Sequence, residues 1–520
     1  MSDKQTASLA APLNTKQDPI ESERCEAIPE SARQQRAEHL RTWLRKCGVA
    51  RRLAFPAVFL PLGCGYLLSY VFRTINGPLA NELIRDFSLD ATSLGLLTSI
   101  YFLAFALSAI PIGIALDAFG PRLVQSWLML LAAIGALVFA LAPTAPMLIL
   151  GRAVIGIGVA GALMAGLKAH ALWVSPRWLP MANGGLVMFG GLGAIVATLP
   201  MDVIDAYMGW RGAFLILALF SVAISISILM LLPGHAAEGP RPRFRDALGH
   251  LASTLMDQRF LRIAPLSAAV VGSAFAIQGL WAARWLTDID RFAPKQVLHD
   301  LLAMGIGLTL GALIIGTATT WLCYLGARLP TIFGSFCLAF IALQFVVQLH
   351  FKIPAALLWG LIGGFGGMSV LSYSILDTTF DATVIGRANS ALNVLHLTIA
   401  WAVQAGMGII IGQWPVDSAG HYPLIAYRMA FALPLVLQIV GFVWFFWPRQ
   451  NSRSLTGTEG AKPTMPIGSA IALRGLALRR IFHPQSPAAG APASAPCSTA
   501  NEIVSSGSST GSGIAAEPLR

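Results

Sequence analysis

The chain has 520 residues, 55% of them hydrophobic and 12% charged, with a formal net charge of +11. A soluble domain carries about 25% charged residues; half that share, with a mean hydropathy of +0.67, excludes a protein whose whole surface meets water. The basic excess gathers in tails and short loops, which argues for orientation in a bilayer and against nucleic acid as a partner.

Residues 1–54 form a polar, charged tail without the early apolar stretch of a signal peptide. Within it, residues 30–48 set Ala37, Leu40, Trp43 and Leu44 among charges. That pattern suits a helix lying on the inner leaflet and, equally, a solvated juxtamembrane segment. Apolar runs then follow one another. A spanning helix needs about 20 mostly apolar residues, and twelve runs qualify: 56–80, 93–115, 122–142, 147–169, 182–203, 212–232, 263–287, 300–322, 330–350, 354–375, 389–412 and 425–447. The expected fold class is an all-α membrane protein of twelve transmembrane helices in two six-helix bundles, 55–232 and 263–448. Between them lies a basic loop, 233–262, with Arg241, Arg243, Arg245, Arg259 and Arg262. Residues 449–520 are rich in Ser, Gly, Ala and Pro, lack periodicity and read as a disordered tail. An even number of spans puts both tails on one side. Arg45, Lys46, Arg51, Arg52, Arg122, Arg177, Arg328, Arg387, Arg449 and the central arginines share that side, so both termini are predicted to be cytoplasmic.

The two halves echo each other about 205 residues apart. Ala182-Asn183-Gly184 opens the fifth span and Ala388-Asn389-Ser390 the eleventh; Gly209-Trp210-Arg211 is answered by Gln413-Trp414-Pro415, and Gly113 by Gly316. Two bundles related by an axis along the membrane normal leave a cavity near the midplane and permit rocking of one half on the other.

The end of the second span reads Gly113-Ile-Ala-Leu-Asp117-Ala-Phe-Gly120-Pro-Arg122. This resembles the helix 2–3 loop signature of the major facilitator superfamily, with Val124 where a second basic residue is usual. Gly113 allows a neighbouring helix to approach, Asp117 needs a partner or water, Gly120 permits a tight turn and Arg122 anchors at the inner surface. In the family this loop bonds to the opposite half when the inside gate is shut. Gly151-Arg152-Ala-Val-Ile-Gly156-Ile-Gly158 also resembles a family pattern, and Arg152, at membrane depth, should face the bundle interior. The resemblance covers residues 55–447 and implies a gating role for Gly113, Asp117, Gly120, Arg122 and Arg152. The second-half counterpart of the loop is degenerate, with Thr320 in place of the acid, then Gly326 and Arg328.

Arg73 lies in the first span, in Ser69-Tyr70-Val71-Phe72-Arg73-Thr74. An arginine facing lipid costs at least a few kcal/mol, so it is expected to line the cavity, where its planar fork suits a carboxylate or phosphate. Arginines of this kind occur in the organic-anion and sugar-phosphate branches of the family, which the chain resembles. Sugar-phosphate and nitrate carriers of the family pair two arginines across the halves. Here the seventh span offers only Arg284, near its outer end, so a monocarboxylate or zwitterion fits better than a phosphate. Tyr66, Tyr70, Gln278, Trp281, Tyr373, Asn393 and His396 could complete a pocket for a small organic ligand. Lys168 and His170 are expected to snorkel from the inner end of the fourth span.

Six cysteines far apart, without a CxxC pair, give no disulfide framework or metal site. No Walker motif is present, and no nucleophile–base constellation points to an enzyme; no cofactor is expected. His396 can titrate near neutral pH, and mid-membrane Asp and Glu are scarce. The sequence therefore predicts a secondary transporter in the bacterial inner membrane, acting as a monomer, that takes up a small organic anion with protons. Efflux of drugs or metabolites, and a transporter-like sensor, stay open as alternatives.

Overall fold

A computed structural model describes residues 54–174, 179–234, 244–351, 353–380 and 382–447. The amphipathic stretch 30–48 and the tail 449–520 lie outside them. The helices in chain order are α1 (Ala54–Thr74), α2 (Ala80–Phe87), α3 (Ala91–Ala140), α4 (Ala145–Val159), α5 (Ala162–Trp173), α6 (Leu179–Val196), α7 (Leu199–Leu231) and α8 (Phe244–Met256). Then come α9 (Gln258–Ala276), a π turn (Ile277–Trp281), α10 (Ala282–Asp288), α11 (Pro294–Tyr324), α12 (Leu329–Leu349), α13 (Ala355–Gly366), α14 (Ser369–Thr379), α15 (Ala382–Ile411) and α16 (Leu424–Phe446). Among the described residues, nine helical stretches are long and apolar enough to cross a membrane, and the apolar helices Val58–Thr74 and Met181–Val196 are shorter.

The twelve predicted spans all fall on these helices, but the boundaries differ for physical reasons. The 50-residue α3 carries two of them and is broken only at Gly120, where φ is 77° and ψ 165°. That conformation is open to glycine, and Pro121 restarts the helix at a position where its missing N–H costs nothing. A second glycine, Gly209 at φ 67°, breaks α7 in the same way. Asp90 caps α3 by accepting from Ser93 N at 2.9 Å, which fixes where the second span begins.

Small residues set the spacing inside the first half. A Cβ on Gly135 would stand 2.6 Å from Ile155 N, one on Gly151 2.8 Å from Phe139 N, and one on Gly156 2.5 Å from the Tyr101 carbonyl oxygen. The glycines of the Gly-Arg-x-x-x-Gly pattern thus let α4 lie against α3. Outward faces are apolar: Leu215, Leu219 and Phe220 on α7, Leu310, Leu313 and Ile314 on α11, and Val436, Val440 and Val443 on α16 are exposed. Such continuous apolar faces fit lipid as the surrounding solvent.

The halves meet along two seams. On α3 and α15, a Cβ on Gly95 would lie 3.1 Å from Gly408 Cα; on α6 and α11, one on Gly305 would lie 3.4 Å from the Ala194 carbonyl carbon. Asn183, opening one helix, bonds His170 at 3.0 Å, and Asn389, in the matching place, donates to Asp377 at 3.1 Å.

Candidate functional site

Three arginines are buried in this helical body, and their bonding separates them. Arg152 is 1% exposed. Its Nη1 donates to the Phe72 carbonyl oxygen at 2.7 Å. With the Asn76 amide oxygen turned toward it, Nε and Nη2 donate there at 3.1 and 3.2 Å. The Tyr101 ring lies 5.2 Å from its guanidinium carbon, and the Tyr101 hydroxyl donates to the Ser69 carbonyl at 3.0 Å. Arg152 therefore faces the interior, as the sequence predicts, and ties α4 to the end of α1. Arg284 is 6% exposed. Its Nη2 donates to both Asp288 oxygens at 2.7 and 2.9 Å, and Nη1 reaches across to Asn81 Oδ1 at 2.6 Å.

Arg73 is different. It is also only 6% exposed, yet its Nε and Nη1 have no hydrogen-bond partner. Two rings approach its guanidinium carbon instead, Tyr70 at 4.4 Å and Phe275 of α9 at 4.3 Å, and Tyr101 also interacts with it through a side-chain hydrogen bond. These contacts help to hold the guanidinium and leave Nε and Nη1 for an acceptor. Buried donors without acceptors are costly, so these two groups are where an anion would gain most.

Around Arg73 the structure gathers most of the predicted pocket. Tyr66 meets Tyr70 edge to face at 5.2 Å. From the second half, Tyr373 on α14 lies within electrostatic reach of Tyr70 and Arg73. The Tyr373 hydroxyl is 3.4 Å from Asn393 Oδ1, and its ring meets His396 at 5.8 Å. Two predicted residues sit elsewhere. Trp281 is in the α3–α15 seam, donating from Nε1 to the Gln404 carbonyl at 3.1 Å. Gln278 lines a small crevice with Thr74, Thr198 and Met304. Phe275, one of the rings beside Arg73, is absent from the predicted set, because an isolated Phe in an apolar run carries no signal of its face.

The predicted gate residues are placed as follows. Asp117 pairs with Lys168 Nζ at 2.5 Å, and Lys168 also donates to the Leu116 carbonyl at 2.9 Å. Arg122 Nε donates to the Leu229 carbonyl at 2.9 Å, closing the end of α7. These partners of Asp117 and Arg122 belong to the loop's own half. Among the described residues, nothing stands within 4 Å of where a Cβ on Gly113 would be. Lys168 does not snorkel freely, because Asp117 holds it. His170 is fully buried, stacked on Phe59 at 5.6 Å.

The opposite end carries a polar network that scarcity of mid-membrane acids conceals in the sequence. Asp288, fully buried, accepts from Arg284, from the Tyr427 hydroxyl at 2.6 Å, and lies 3.0 Å from His421 Nδ1. Next to it is a cavity of 560 Å³ lined by Glu82, Arg85, Asp205, Arg284, Arg291 and His421. Burial, then the hydrogen bond to Asp205 and that residue's charge, push the Glu82 carboxyl up to about 7. The indole N–H of Trp210, 2.9 Å away, holds Asp86 below the usual carboxylate range.

Comparison with known proteins bears on the family and the fold. The sequence profile of the Major Facilitator Superfamily matches residues 62–405. The nitrate/nitrite transporter NrtP of Picosynechococcus is 32% identical over 150 residues, 29% of this chain and 28% of that protein. The chain thus spans well under two thirds of that relative. A probable L-galactonate transporter of Escherichia coli is 26% identical over 381 residues, 66% of this chain and 77% of that one. In fold, the chain superposes on a bacterial homologue of the human lysosomal transporter Spinster with a TM-score of 0.62 at 16% identity, over 76% of this chain and 97% of the other. The chain belongs to the Major Facilitator Superfamily of membrane transporters.

Proposed function

We propose that this transporter takes up a small organic anion with a single carboxylate, together with protons, by alternating access across a bacterial inner membrane. The observation that carries the reading is Arg73: buried, in contact with the Tyr70 and Phe275 rings, and with Nε and Nη1 unpartnered. Arg284 bears on the size of the charge. It is committed to Asp288 and Asn81, so one guanidinium is available to cargo, which favours a monoanion over a phosphate dianion. Tyr66, Tyr70, Tyr373 and Asn393 supply rings and hydroxyl or amide groups for the rest of such a molecule. The relative named for L-galactonate, a hydroxylated carboxylate, is compatible with this pocket. In this reading twelve spans form two bundles with both termini cytoplasmic, the protein works as a monomer, and Asp117 and Arg122 exchange their partners when the inside closes.

The test is equilibrium binding to the purified full-length protein. L-galactonate, lactate and benzoate are the probes, and glucose 6-phosphate is the dianion control. At least one carboxylate should bind, and the dianion should not. Arg73→Lys should weaken binding and keep some transport, since charge survives and the fork does not. Arg73→Gln should lose about 2–5 kcal/mol. Unchanged affinity in both variants would end the anion-site reading.

A further inference from the structure

The end of the molecule opposite the Gly113–Arg122 loop is held by a charged side chain. Arg284 on α10 points Nη1 at Asn81 Oδ1 of the other half, 2.6 Å away. Its Nη2 stays on both oxygens of Asp288, one helical turn along α10. Asp288 is 1% exposed; it also accepts from the Tyr427 hydroxyl at 2.6 Å, and His421 Nδ1 lies 3.0 Å from its Oδ1. The second half thus fixes the guanidinium from α10, from the segment before α16 and from α16 itself, and the Nη1 bond leaves that half.

The backbone is close at this place too. A Cβ on Gly77, in the turn between α1 and α2, would lie 3.5 Å from Ala283 Cβ and 3.5 Å from the Gly279 carbonyl oxygen. Arg284 is a wall of two cavities here. The 560 Å³ one it shares with Asn81 and Glu82, and a second, of 290 Å³, with Ser88, Trp281 and Tyr427. Each cavity is lined from both halves, so the contact at Arg284 is narrow and has open volume at two flanks.

The acceptor at position 81 is an amide, and this decides how the contact can break. When the halves part, Arg284 keeps Asp288, and Asp288 keeps Tyr427 and His421, so no buried charge is stripped of its partner. What is lost is one hydrogen bond, which water can replace on the exposed Asn81. A carboxylate in the same place would hold the halves by a charge-assisted pair instead.

We infer that Arg284 and Asn81 form the latch of the outward-facing end of this transporter, and that Asp288 is the positioning residue that aims Arg284 across the halves. The latch is closed in this conformation and breaks each time that end opens. That the end faces outward rests on the reading with cytoplasmic termini; the latch holds for any cargo.

The experiment uses Ala283→Cys, a site 4% exposed against Gly77, in the full-length chain without its six native cysteines. Labelling by a charged maleimide in detergent tracks the fraction of molecules open at this end. Asn81→Ala should speed labelling by roughly tenfold, the shift that loss of one hydrogen bond to a charged group supports. Asn81→Asp should slow it, and should slow uptake into vesicles of whichever labelled carboxylate the wild type binds. A residue that merely supports the fold would move both variants the same way, so opposite signs mark the latch. Asp288→Asn should speed labelling as Asn81→Ala does, and the two changes together should add nothing further. If Asp288→Asn does not fold, the two Asn81 variants decide. Equal labelling rates in wild type, Asn81→Ala and Asn81→Asp, or shifts of one sign in both variants, would overturn the latch. If an impermeant maleimide reaches position 283 from the cytoplasmic side alone, the orientation falls and the latch stands. If no carboxylate binds, the anion-site reading falls, and the labelling rates still judge the latch.

Discussion

Three arginines with nearly equal burial carry different duties, and burial alone does not tell them apart. Arg152 has its donors matched by Phe72 and Asn76, and Arg284 by Asp288 and Asn81, whereas Arg73 keeps Nε and Nη1 without a hydrogen-bond partner beside two rings. A residue kept for binding is expected to be a liability in the empty protein. Arg73→Gln should therefore leave the melting temperature unchanged or raise it. Arg152→Gln should lower stability by about 1–3 kcal/mol, because it strips partners from a buried carbonyl and amide. Thermal unfolding of the two variants in one detergent reads the difference, and a larger loss in Arg73→Gln would place both arginines in the same structural role. Glu82 gives a pH signature. Its carboxyl is raised to about 7 by burial and by Asp205, so the folded state holds a proton that the unfolded state has already lost. Stability contributed by that proton is present below the ordinary glutamate range and is lost as pH rises toward 7. Glu82→Gln should flatten the fall in melting temperature across that window, and an unaltered slope would exclude the pair.

At the scale of the element, the sequence exposes what depends on composition along the chain and hides what depends on the facing of side chains. Twelve apolar runs are visible because lipid demands them, and Gly120 announces its turn because only a residue without Cβ adopts φ 77° cheaply. Arg73, Tyr70 and Tyr373 could be picked out because polar groups in spans are rare. Phe275 and Gln404 could not, since apolar and small polar residues at membrane depth look alike until the helices are placed. The same limit explains Lys168: at a helix end it reads as a snorkelling cation, and only the packing of α5 against α3 brings it to Asp117. That pair is exposed, with side-chain exposures of 30% and 60%, so it adds little to stability. Its value lies in exchange of partners. Asp117→Asn should insert and unfold like wild type yet slow the uptake into vesicles of whichever labelled carboxylate the wild type binds, and normal uptake kinetics would remove Asp117 from the mechanism.

On the scale of the whole molecule, the α3–α15 seam is closed by contact of Gly95 with Gly408, by Gln404 Nε2 donating to Thr98 Oγ1 at 2.6 Å, and by the Tyr422 hydroxyl accepting from Ala91 N at 3.1 Å. If the halves rock apart along this seam, a tether across it must arrest transport. Cysteines at positions 98 and 404, on a background without the six native cysteines, should cross-link on oxidation, stop uptake, and release it on reduction; continued uptake by the cross-linked protein would exclude opening here. The character of the seam has a consequence for ionic strength. Its bonds join neutral groups, and among the described residues the charges that cross between halves, on Arg284 and Arg73, meet the neutral Asn81 and the Phe275 ring. The pairs Asp117–Lys168, Arg284–Asp288 and Arg291–Asp417 each lie within one half. Salt that shortens the Debye length from about 10 Å at 0.1 M to about 3 Å at 1 M has little to screen along this interface. The rate of cross-linking between residues 98 and 404 should therefore hold steady over that range, so the transporter would open and close at the same tempo in dilute and in briny surroundings.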